Sequence, residues 1–157
     1  MPLSSRITEL GLSIPTSSKP LAVYVPAVRL PTTPEQIVVS GQVPLVDGAP
    51  LATGRVPNEV SIELAQECAR RCVLNALAAV AGVVDGDLDR IDRVVRLGCF
   101  VACDASFTEH PKVANGASEL LHELLGEKGR HARAAVGVPS LPLGVPVEIE
   151  FQFLLRP

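Results

Sequence analysis

The chain has 157 residues, 47% of them hydrophobic and 20% charged, with a net charge of −3, 3% aromatics and no tryptophan. That length fits one domain with a core of its own, and that balance excludes a disordered chain. It also argues against nucleic acid as a partner, which calls for a basic stripe or stacking aromatics.

In chain order, "SSRITELG" reads as a short helix stopped at Gly11 and lying outside the main core, within an extension over residues 1–20. No basic-then-apolar leader opens the chain, and no run approaches the roughly eighteen apolar residues of a membrane span. The expected address is therefore the cytoplasm, with no membrane contact. "LAVYVPAVRL" (Leu21–Leu30) reads as a strand in which Pro26 marks an edge or a bulge. "QIVVSGQVPL" (Gln36–Leu45) is a second strand. Asp47-Gly48 is a turn dipeptide, with a short third strand after it.

"NEVSIELAQECARRCVLNALAAVAG" is the clearest helix. Ile62, Ala65, Ala69, Cys72, Val73, Ala76 and Val80 recur at helical spacing. Ser61 or Asn58 can cap its start, and Gly82 can end it. "DRVVRLGCFVA" has the continuous apolar character of a buried strand. "PKVANGASELLHELLG" is a second long helix, with Pro111 in its first turn and Gly126 at its end. Two strands close the chain, around "HARAAVGV" and "VEIEFQF". Strands grouped with two helices predict an α+β fold of two layers, a mixed sheet with both helices on one face. Apolar residues fill both parities of several strands, so the bare face predicts self-association.

The cysteine pairs Cys68/Cys72 and Cys99/Cys103 read as small core residues rather than a zinc site, because the second pair lies on a buried strand. His110, His122 and His131 form no ligand spacing, and no metal or cofactor is called for.

Several stretches together resemble the YjgF/RidA family, also called the L-PSP "endoribonuclease" family, in a longer and poorly characterised branch. They are "YVPAV", "VSGQ", "PKVANGASELL" and "HARAAVGV…LPLGVPVEIE", spanning about Leu21 to Phe153 of a single domain over 1–157. The resemblance implies a chorismate-mutase-like fold and a homotrimer whose sheets form a central barrel, with sites in clefts between subunits. It also implies hydrolytic deamination of reactive 2-imino or enamino acids to a 2-keto acid and ammonia.

Arg133 matches the family arginine. A guanidinium stays charged when partly buried and grips a carboxylate in two parallel hydrogen bonds. The alternative is an ion pair with a neighbouring acid. Glu148 matches the glutamate that handles the attacking water. Glu150 shares its parity, so the residues alone do not rank the two.

Tyr24, Ser40, Gly41 and Asn115 match substrate-binding positions. Their plainer readings are a half-buried tyrosine, a β-bulge and a helix cap. Ala134 and Ala135 depart from the family, which has a serine and often a cysteine there. The alternative function is therefore a trimer that binds a small carboxylate without turning it over. An endoribonuclease ranks behind both.

Overall fold

The computed structural model describes residues 1–17 and 23–156. Its elements are α1 (Leu3–Glu9), β1 (Ala27–Leu30), β2 (Gln36–Gln42), β3 (Leu45–Val46), β4 (Ala49–Pro50), α2 (Ile62–Ala81), β5 (Ile91–Ala102), α3 (His110–Leu125), β6 (Ala132–Val138) and β7 (Val147–Leu155). Five strands form one sheet in the order β1-β2-β7-β5-β6. Only β5 and β6 run parallel; the other neighbours are antiparallel, so the sheet is mixed.

The helices form because the sequence supplies a cap and a stripe. Ser61 accepts a hydrogen bond from the Leu64 N–H at 3.1 Å, which satisfies one of the free donors of the first turn of α2. The predicted stripe from Ala65 to Val80 is buried. It faces β7, whose Val147, Ile149, Phe151, Phe153 and Leu155 are all at most 1% exposed. Strict alternation along β7 leaves Glu148, Glu150, Gln152 and Leu154 on the opposite face. Helices α2 and α3 lie side by side at very close range. A Cβ at Gly116 would collide with the backbone carbonyl of Gln66, so only glycine fits that crossing.

The face away from the helices is a mixed surface. Val28, Leu30, Val38 and Val136 are 36–46% exposed there. Between them sit Arg96 and Glu150, paired at 3.0 Å, and the half-buried Phe100 and Glu148.

Two readings of the sequence need correction. The helix at the N-terminus is not outside the core: Leu3 and Ile7 are buried in it. Ser4 binds Asp89 through both its N–H and its hydroxyl, and Arg6 Nε donates to the Glu123 carbonyl at 2.8 Å. The first strand is also shorter than expected. It begins at Ala27, directly after Pro26, whose missing N–H cannot join a ladder, and Tyr24 lies in a bend before it. The Leu21 and Ala22 portion of that reading lies outside the described residues. Asp47 and Gly48 have φ of 50° and 83° and turn β3 back on β4 as the dipeptide suggests. Among the described residues, no helix is long and apolar enough to cross a membrane.

Candidate functional site

Arg133 sits on the edge strand β6, opposite Leu97 of β5 in parallel register. Leu97 is fully buried on the helix side, so Arg133 points to that side as well. There its guanidinium meets α3. Nη1 donates to Asn115 Oδ1 and Ser118 Oγ, both at 2.9 Å, and Nη2 donates to the Pro111 carbonyl at 3.2 Å. All three acceptors are neutral. The expected alternative, an ion pair with a neighbouring acid, is therefore not what the residue does. Three of its five N–H groups fix the plane, and the Nε–H and one Nη2–H have no partner among the described residues.

Ser118 is tied in turn to His131. His131 Nδ1 lies 2.6 Å from the Gly129 carbonyl, so that nitrogen carries the hydrogen. Its Nε2 then accepts from Ser118 Oγ at 3.1 Å. Burial, with the Arg133 charge adding to it, holds the His131 imidazole below its ordinary value and favours this neutral form. Ser118, His131 and Arg133 line an open cleft of about 310 Å³.

Asn115 is not the cap suggested by its place in the sequence. Helix α3 begins at His110, so Asn115 lies in the second turn, where its amide oxygen holds Arg133. Ser118 was missed. Its signal was the i, i+3 spacing from Asn115, which puts both on one helix face.

Glu148 belongs to a different group of residues on the opposite side of the sheet. The pairing of β2 with β7 shifts register between Val39 and Gln42, which makes the bulge expected of "VSGQ". The bulge sets Gly41 directly beneath the Glu148 carboxylate, where a Cβ would displace it. Ser40 Oγ donates to the Val25 carbonyl at 2.7 Å, which anchors the stretch that carries Tyr24. Tyr24 itself is 45% exposed.

Sequence parity left Glu148 and Glu150 unranked, and the structure separates them. Glu150 is paired with Arg96, and Glu148 has no cationic partner among the described residues. Burial, reinforced by the Glu150 charge, raises the Glu148 carboxyl above the ordinary value of 4.5. Such a carboxylate is a better proton acceptor than an ordinary one.

Two separate groups result: Arg133 and Asn115 lie on the helix side, whereas Glu148, Gly41 and Ser40 lie at the other face of the sheet.

A family model described as "YjgF/chorismate mutase-like, putative endoribonuclease" matches residues 4–152. The chain belongs to this family. Protein TCP17 of Trypanosoma cruzi is 40% identical to it over 149 residues, covering 94% of this chain and 91% of that protein. The crystal structure of Atu1372 from Agrobacterium tumefaciens, a protein of unknown function, is 41% identical, with a TM-score of 0.88 over 98% of this chain and 92% of that one. A crystal structure from Shewanella oneidensis, described as that of a "putative endoribonuclease", is 31% identical. Its TM-score is 0.91 over 99% of this chain and 100% of that one. Family membership thus agrees with the α+β, chorismate-mutase-like architecture described above.

Proposed function

We propose that this family member hydrolyses small 2-imino or enamino acids to 2-keto acids and ammonia, in clefts formed between copies of the chain. The observation that carries the reading is Arg133. Its guanidinium is oriented by three neutral oxygens and retains two N–H groups for an incoming carboxylate. A 2-imino acid supplies one carboxylate with the reactive carbon bonded directly to it.

In this reading Glu148 takes a proton as water adds to the imine carbon. The C–O bond forms as the C=N π pair shifts to nitrogen; the two water protons pass to that nitrogen, and C=O forms as the C–N bond breaks and ammonia leaves. The Glu148 half-site comes from a second copy of the chain, because its own protomer places it across the sheet from Arg133. The exposed valines of the open face suit a partner copy, and a homotrimer with a central barrel is the assembly proposed.

The test is an assay in which an amino-acid oxidase generates the imine and semicarbazide traps what remains. The expected result is faster imine loss with the wild-type protein and none of that gain with Arg133→Ala. Equal imine loss with and without wild-type protein rejects deamination.

Ala134 and Ala135 favour a second reading. They leave no hydroxyl or thiol on β6 beside the guanidinium. A protein that binds a 2-keto acid without turnover would show thermal stabilisation by the ligand, lost in Arg133→Ala, with no change in imine loss.

A further inference from the structure

Three of the four cysteines are sealed in the core: Cys68, Cys72 and Cys99 are at most 1% exposed. Burial pushes the Cys68 thiol up to about 11 and that of Cys99 up to about 12, as expected of inert structural thiols.

Cys103 is also buried, at 5% exposed, but unlike the other three it lines a cleft. It follows β5, and its Sγ lies 3.5 Å from Nε2 of His110, the first residue of α3. The loop between them folds back through the Phe107 N–H to Asp104 carbonyl bond at 3.0 Å. The Phe107 ring then meets the imidazole edge-on at 5.2 Å and limits its rotation. On the facing strand β6, the residue opposite the pair is Gly137. A Cβ there would come within 2.6 Å of Nε2 and 2.7 Å of Sγ, so the glycine makes room for the contact.

Arg55 donates to the Cys103 carbonyl at 2.7 Å and pairs with Asp104 at 2.7 Å, so the guanidinium charge beside the thiol is balanced. These groups line a cleft of about 370 Å³ whose remaining walls include Phe107, Val138 and Pro139.

We propose that Cys103 and His110 form a nucleophilic thiol–imidazole pair, a covalent modification site for small, uncharged, soft electrophiles. The class follows from the cleft, whose cation is already neutralised and whose other walls are largely apolar. The pair needs its base. Burial raises the Cys103 thiol too, so at neutral pH the proton must leave as sulfur attacks.

With an alkyl halide, the S–C bond forms, the C–halogen bond breaks and the halide departs with the bonding electrons. His110 Nε2 keeps the thiol proton. With an electron-poor alkene, sulfur bonds the β-carbon, the π pair shifts toward the carbonyl, and the proton passes from Nε2 to the α-carbon. The site is independent of the Arg133 and Glu148 chemistry.

The test is native-state alkylation of the full chain by iodoacetamide, with the adduct located by mass spectrometry after digestion. One carboxamidomethyl group is expected, on Cys103, with the other three thiols protected until denaturant is added. His110→Gln should slow the modification about 100-fold, the lower end of what a positioned general base contributes, without lowering the melting temperature. Gly137→Ala, which pushes the pair apart, should slow it as well. The proposal is overturned if native wild-type protein gains no adduct at Cys103. It is equally overturned if the rate is the same in a folded His110→Gln or Gly137→Ala protein.

Discussion

On the helix side of β7, Val147, Ile149, Phe151, Phe153 and Leu155 are sealed against α2, while on the other side Glu148, Glu150 and Gln152 remain only partly covered. The first set obeys packing, and any change in volume is felt. The second set retains charge at a real electrostatic cost, visible in the raised Glu148 carboxyl. The helix side of β7 therefore fixes the fold, while its open side holds the carboxylates that the proposed reaction and the proposed partner copy would use.

The largest effect that separates the two sides is expected from a pair of glycines. At Gly116 a methyl group meets the Gln66 backbone, which cannot swing aside, so Gly116→Ala should cost about 3 kcal/mol in a urea melt. At Gly98, on the open side, the same methyl meets the Glu150 carboxylate oxygen at 2.7 Å, the end of a flexible and part-exposed side chain. Gly98→Ala should cost less than about 1 kcal/mol. Equal losses would erase the contrast.

A middle-sized effect concerns the Arg133 tether. Ser118→Ala removes a 2.9 Å hydrogen bond from the charged Arg133 guanidinium and should weaken keto-acid binding about 10-fold, corresponding to about 1.4 kcal/mol, while leaving the melting temperature nearly unchanged. Calorimetric titration with 2-oxobutyrate measures it. A large stability loss would mean that Ser118 serves packing instead.

Smaller still is the pH dependence due to Glu148. Its folded-state value is raised, so the native chain holds a proton more tightly than the unfolded one. Stability from this group is fully present below the unfolded value and is lost as pH rises from about 4.5 through the folded value. Glu148→Gln should therefore be slightly more stable than wild type at pH 7 and equal to it at pH 4. A greater benefit at pH 4 would reverse the sign and reject the burial argument. The smallest effect belongs to Arg96→Ala: its ion pair with Glu150 is 44% exposed on both sides, and such pairs contribute about 0.5 kcal/mol or less.

Much of this layout was legible in the sequence. The stripe of α2 and its Ser61 cap were readable because helical period and capping chemistry are local properties. So was the shared face of Glu148 and Glu150, which follows from the two-residue period of a strand. The docking of α1 was not, because Leu3 and Ile7 give too short a pattern to declare which neighbour they pack against. Neither was the separation of Arg133 from Glu148. Parity is defined within one strand, and relating β6 to β7 requires the parallel register with β5 that lies between them. Cys103 and His110 meet only through the folded-back loop at 104–109, which spacing alone does not reveal.

The proposed reaction requires the Arg133 and Glu148 groups to meet across protomers. Arg133→Ala and Glu148→Gln chains, each inactive alone, can be unfolded together, refolded as an equal mixture and assayed for imine loss beside refolded wild type. Random assembly should restore about a quarter of wild-type activity, because one cleft in four then receives an intact half from each copy. No recovery in a mixture that assembles as well as wild type would contradict the shared cleft.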